Sequence, residues 1–271
     1  MQKLLFLSHI HEERELALVF KQALEDEFSG FVDVFVSSDG VSIGAGANFL
    51  KKIEDGLVSC IAGIYLISPY SVKRNWINFE LGAVWIRSAI AVRSGDKEIP
   101  ALPLCHSGSS PGSLPAPLNN LNAVDANQAT RLEFAFRSIQ AAVGGRGNLK
   151  TDFDALAEKV RRFEHAYTLE ANLVKLTQMI MVPSTIRNFV EFAEKDAGSE
   201  LRVEVGIMDE VNAHNMENLV KEHLSGVVRI ERNGWGAGAT FRGEHGSGPI
   251  IIATVDRAAV LSCKRAILAA T

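Results

Sequence analysis

Cysteine is scarce in this chain of 271 residues: there are three, Cys60, Cys105 and Cys263, with no Cys-x-x-Cys pair. So sparse and odd a count excludes a disulfide framework or a zinc knuckle and suits reduced thiols in a cytoplasm. Long hydrophobic runs are missing too. No window reaches the ~18 apolar residues that cross a bilayer. The opening stretch, Met1 to His9, turns polar too soon for a secretory signal. A cytoplasmic protein with no membrane partner is therefore expected. Charge of one sign is also lacking: the net value is −4, with 13 Lys/Arg against 15 Asp/Glu up to residue 147 and 15 against 17 after it. With no basic excess in either half, binding driven by phosphate neutralisation is not expected, and nucleic acid is set aside as a partner. His214, His223 and His245 lack metal-ligand spacing, so no metal site is expected.

What is present is apolar surface: 47% of residues are hydrophobic and 22% charged, enough for two real cores. The run Gly144-Gly145-Arg146-Gly147-Asn148 is the natural break between them. The expected organisation is a first domain over 1–145, a linker over 146–151 and a second domain over 152–271.

The first domain reads as strands alternating with helices. Buried strands are expected at Lys3–Ser8, Phe31–Val36, Ile61–Ile67 and Ile99–Cys105, with a last edge strand at Leu121–Val124. Helices are expected at Glu12–Phe28, Phe49–Leu57, Trp76–Ile90 and Arg131–Val143, the first of them amphipathic with its charges on the solvent face. The Ser-, Gly- and Pro-rich segment 107–117 is a surface loop. Such alternation implies a parallel sheet with right-handed crossovers. The ligand crevice of such a sheet lies beyond the carboxyl ends of its strands. Three polar clusters fall there: Ser8-His9, Ser37-Ser38-Asp39-Gly40 and Ser68-Pro69-Tyr70. They read equally well as a site or as ordinary polar turns.

Taken together, these residues resemble a known family. Leu5-Phe6-Leu7-Ser8-His9, Val34-Phe35-Val36-Ser37-Ser38-Asp39 with Ser42-Ile43-Gly44, Leu66-Ile67-Ser68-Pro69-Tyr70-Ser71 and Trp76-Ile77-Asn78-Phe79-Glu80-Leu81-Gly82 look like a Toll/interleukin-1 receptor (TIR) domain of the bacterial, NAD-consuming, anti-phage kind. Leu114-Pro115-Ala116-Pro117-Leu118 fits the same pattern. The resemblance covers residues 1–145. It implies a flavodoxin-like five-stranded parallel sheet and, for many bacterial members, cleavage of the nicotinamide–ribose bond, with NAD+ as substrate and no further cofactor.

Trp76 and Glu80 are one helical turn apart, so their side chains share a face. Nicotinamide leaves a cationic pyridinium as a neutral base, so no acid is needed for the leaving group and the usual glycosidase pair of carboxylates is unnecessary. One carboxylate aimed at the ribose suffices to stabilise an oxocarbenium-like ribosyl cation. Glu80 is the candidate, its plain alternative being a solvated helix-face carboxylate. Trp76 would wall the nicotinamide site or simply pack in the core. The resemblance adds Ser8, His9 and His11 as nucleotide contacts. It also adds Asp39 at the start of a loop made mobile by Gly40, Gly44 and Gly46, and Phe49 as a pocket aromatic or a core residue. Ile10-His11 stand where some NAD-cleaving relatives carry arginines for the phosphates, which leaves backbone amides at helix N-termini for that task.

The second half resembles no family. Long helices are expected at Phe153–Met181 and Thr185–Lys195, then a half-buried strand at Leu201–Ile207 and a helix at Val211–Leu224. Three strands follow at Val227–Arg232, Ala239–Arg242 and Ile250–Val255, separated by glycine-rich turns, and a helix over Ala258–Ala270 closes the chain. This describes a smaller α+β domain with a mostly antiparallel sheet, suited to sensing or oligomerisation. Three functions stand open at this point. The first is an NAD-cleaving enzyme that assembles through TIR–TIR contacts and answers a nucleotide second messenger or a protein trigger. The second is a non-enzymatic scaffold, and the third is a ligand sensor whose second domain binds a nucleotide signal.

Overall fold

The computed structural model describes residues 3–37, 49–240, 243 and 245–270. It divides into two compact units, residues 1–164 and 165–271.

In the first unit, β1 (Lys3–Ser8), β2 (Val32–Val36), β3 (Ala62–Ile67), β4 (Ala101–Cys105) and β5 (Val124–Asp125) form one sheet in the order β2-β1-β3-β4-β5, all parallel. Every residue of β3 is buried, as expected of a central strand covered on both faces. The covering helices are α1 (Arg14–Glu27), α2 (Phe49–Ser59), α3 (Asn75–Arg93) and α4 (Ala129–Val143). Leu16, Phe20 and Leu24 of α1 and Leu132, Phe136 and Ile139 of α4 pack on one side of the sheet with Leu5, Leu7 and Ile64. Phe6 and Ile53 meet Val84 of α3 on the other. Helix α4 ends at Gly144, whose φ of +78° is the left-handed C-cap that glycine accepts without strain. The edge strand is shorter than expected, two residues beginning at Val124, and segment 107–117 is a run of turns with one 3-10 turn, Pro111–Ser113.

A long helix, α5 (Phe153–Ile180), follows. Its Leu156, Ala157 and Val160 belong to the α1–α4 core. The first unit therefore runs to Glu164, past the break expected at 146–151, because an apolar stripe on those first turns finds its burial there. The amides of Lys150 and Thr151 donate to the Glu27 carboxylate, which ties the glycine-rich segment to α1.

The second unit contains the rest of α5, α6 (Pro183–Lys195), β6 (Glu200–Ile207), α7 (Glu210–His223), β7 (Val228–Ala239), β8 (His245–Asp256), α8 (Arg257–Ser262) and α9 (Lys264–Ala269). Its sheet has the order β6-β8-β7 and is antiparallel throughout. Leu173, Leu176, Phe189, Leu201, Met216 and Ile251 are among the residues of its core. The expected turn at 233–238 is not a turn: β7 continues through it, and β7 with β8 makes one long hairpin. A Cβ on Gly248 would lie 1.9 Å from the Met208 carbonyl oxygen, so close backbone approach, not chain reversal, is what that glycine permits. Of the strand expected at Ala239–Arg242, Ala239 is the last residue of β7, Thr240 lies past its end, and the last two residues lie outside the described set. The expected closing helix is interrupted at Cys263 and becomes α8 and α9.

Candidate active site at the strand ends

The strand order reverses direction between β1 and β3, and the crevice of such a sheet opens at that switch point beyond the carboxyl ends. Ser8 is the last residue of β1, and Ser68 directly follows β3. Between and above them enters α3, bearing Trp76 and Glu80.

Glu80 is 1% exposed. Its Oε2 accepts from Ser8 Oγ at 2.5 Å, and its Oε1 accepts from Trp76 Nε1 at 2.8 Å. The i, i+4 spacing read from the sequence thus becomes a direct bond, and the serine ending β1 supplies the second donor. Tyr65 Oη donates to the backbone carbonyl of Glu80 at 3.3 Å, anchoring this turn of α3 on β3. Burial pushes the Glu80 carboxyl up to about 7, against the opposing pull of the Ser8 and Trp76 hydrogen bonds. A carboxyl balanced near neutrality in a largely apolar enclosure is the kind of group that functional sites contain.

Trp76 is 41% exposed and stacks on Phe79 with ring centroids 5.1 Å apart. Beyond the indole lies an apolar hollow of about 380 Å³ between α2 and α3, walled by Leu50, Ile53, Leu57, Trp76, Phe79 and Ala83, among others. The indole therefore stands between the buried carboxyl and open space.

Other expected contacts are placed differently. His9 is buried, and its Nδ1 lies 2.6 Å from the Ile10 carbonyl oxygen. His11 is exposed at the start of a short turn, His11–Glu13, and neither histidine is a hydrogen-bond partner of Glu80. Asp39 and its glycines lie outside the described residues. Phe49 is the first residue of α2, and its side chain also lies outside the described set.

A second buried polar cluster occupies the same rim; the sequence marked its Ser68 as a strand-end residue but not Glu13 or His106. Glu13, fully buried, accepts from Ser68 Oγ at 2.6 Å and from the Ile10 amide at 3.2 Å, and His106 Nε2 lies 3.4 Å from it. Ser68 Oγ in turn accepts from the amides of Tyr70 and Ser71, shaping the turn that leads into α3. His106 Nδ1 lies 2.9 Å from Ser107 Oγ. Ser107, with φ +52°, is the one non-glycine residue in the left-handed region among the described residues, and its amide donates to Glu164 of α5 at 2.8 Å. The available signal was a glutamate five residues beyond the serine ending β1, but helical periodicity assigns such a charge to solvent.

These features define a doubly wound α/β domain with a carboxylate at its topological switch point. Residues 5–139 match the family model described as TIR domain, and this part of the chain belongs to that family. No curated protein matches the chain. No described helix is long and apolar enough to cross a membrane.

Proposed function

We propose that the first unit is an NAD+ nucleosidase of bacterial anti-phage defence, acting in the cytoplasm and controlled by assembly. Glu80 is its catalytic carboxylate. The C–N bond between nicotinamide and ribose breaks, and its electron pair leaves on the pyridine nitrogen. The ribosyl cation is captured by water, giving ADP-ribose and a proton, or by a nucleophile of the same molecule, giving a cyclic isomer.

The observation that carries this reading is the carboxyl of Glu80, enclosed beside an indole and held near neutrality by burial. A cationic pyridinium entering the site favours its ionised form, so the substrate itself charges the group that stabilises the cation. Ribose hydroxyls can replace Ser8 Oγ and Trp76 Nε1 as donors to it, and the hollow beyond the indole gives Trp76 room to move aside. The rival reading, a TIR scaffold, draws on the exposed apolar row of α3, namely Phe79, Ile86 and Ile90, the kind of patch that marks a protein contact.

The test is release of nicotinamide from NAD+ by the full chain, in dilute and in crowded, concentrated samples, with Glu80→Gln alongside. Release by the native chain that disappears in the variant supports the enzyme. Absence of release in every sample, or undiminished release by Glu80→Gln, supports the scaffold.

A further inference from the structure

We propose that the outer edge of β6 is a homodimer contact, where β6 of a second copy of this chain pairs antiparallel and joins two three-stranded sheets into one of six strands. The proposal goes beyond the NAD reading and stands without it.

β6 and β7 are the outer strands of the second sheet. The Arg257 amide donates to the Ser199 carbonyl at 2.9 Å, so before the bulge between Glu204 and Gly206 the odd-numbered residues of β6 turn their backbone groups toward β8. Glu200, Arg202 and Glu204 therefore present theirs outward, and among the described residues no backbone group pairs with that row. A free edge of this kind is a template for another strand.

Charge selects the occupant. Arg229 and Arg232 of β7 are already engaged, the first by Glu200 and Glu231, the second by Glu210 and Glu217, and Lys264 is paired with Glu194. Arg202 and Glu204 are exposed and have no ion-pair partner among the described residues. An antiparallel pairing about a twofold axis through Val203 sets Arg202 opposite Glu204 of the second copy, and Glu204 opposite its Arg202. Both oppositions are attractive, and the same two residues carry the outward backbone groups. On the other face of the strand, Leu201 and Val205 stay in their own core and the half-buried Val203 meets its counterpart across the axis. Such self-complementarity is what a twofold interface requires.

Apolar surface continues the contact. A groove of about 420 Å³ between α6 and β6 is lined by Val182, Phe189, Phe192 and Val203, among others, and Phe192 is 54% exposed. The two copies of this groove meet across the same axis.

Sedimentation equilibrium of the full chain over a concentration series tests the pairing. The native chain is expected to dimerise. Arg202→Glu and Glu204→Arg, each of which sets like charges opposite one another twice, should each weaken the dimer about tenfold or more. The double variant Arg202→Glu/Glu204→Arg restores both attractions and should recover the native constant, which also shows that the exchanged residues fold. A monomeric native chain, an association unchanged in both single variants, or a double variant no tighter than the singles overturns the proposal.

Discussion

The two units of this molecule handle polar side chains in opposite ways. Among the described residues the first unit buries Ser8, His9, Glu13, Ser37, Ser68, Ser71, Glu80, Ser88, His106 and Ser107, whereas the second buries only Thr177. The ion pairs of the second unit lie on its surface: those of Arg229, Arg232 and Lys264 are all at least a third exposed on the cationic side. A buried polar group costs free energy unless satisfied, and a fold that encloses several of them has committed stability to their placement. Surface pairs carry no such commitment and contribute little. The buried polar groups gather at the rim of the first sheet, where the proposed catalytic carboxyl lies, whereas the second unit keeps its charged groups on the surface.

The largest effect concerns what both units share, an apolar core. Phe136→Ala should cost about 3–5 kcal/mol, read by chemical denaturation, because it empties a fully enclosed site between α4 and the sheet. A much smaller loss would mean that this core is looser than its burial indicates.

Next comes the chemistry of the rim. Glu80→Gln should lower nicotinamide release about 10²–10³-fold, the usual consequence of removing one group that stabilises transition-state charge. If the native chain releases nicotinamide as proposed, its kcat/KM should fall as pH drops below about 7, where Glu80 takes up its proton. Trp76→Phe removes a hydrogen bond that favours the ionised form, so it should move that limb to higher pH, and a limb unmoved by this variant would separate it from Glu80.

The same carboxyl should weaken the fold at alkaline pH. Below pH 4.5 it is protonated in both the folded and the unfolded chain. Between 4.5 and about 7 the unfolded chain ionises first, so stability declines as pH rises, and the full loss is present above the folded value. Glu80→Gln should therefore stabilise the protein by up to about 3 kcal/mol at pH 8 and by almost nothing at pH 4, read as Tm or denaturant midpoint. Equal effects at the two pH values would contradict an enclosed carboxyl.

Glu217 is the counterpart in the second unit and gives the smallest effect. The Arg232 guanidinium holds its carboxyl below the usual range, so its contribution is present at neutral pH and disappears as the solution is acidified through that lowered value. Glu217→Gln should cost less than about 1 kcal/mol at pH 7, since the pair is partly exposed and screened. A loss as large as the gain at Glu80 would erase the contrast between the units.

Much of the fold was legible in the residues. Apolar runs marked the central strands, and the strand–helix alternation pointed to a parallel sheet with its site at the carboxyl ends. Trp76 and Glu80 were readable as neighbours because helical spacing is local geometry, and Ser8 was readable as a rim residue because it ends an apolar run. Glu13 and His106 were not. Periodicity sends a charge on an amphipathic helix to solvent, and the arrival of Ser68 and His106 just beyond β3 and β4, added to the local Ile10 amide, makes burial of Glu13 tolerable. The β7–β8 hairpin escaped for a related reason. Gly234, Gly236 and Gly238 signal a turn locally, yet pairing of Trp235 with Pro249, Gly236 with Gly248 and Gly238 with Gly246 holds that stretch extended.

Sequence alone determined the element types of the first unit, the two apolar cores and the pairing of an indole with a carboxylate one turn on, since each depends on spacings of a few residues. Tertiary structure decided which charges are enclosed, where the first unit ends and which strand edge stays open. Those outcomes depend on groups far apart in the chain, and the free energy of a buried carboxyl or an unpaired edge is set by what the rest of the fold brings against it.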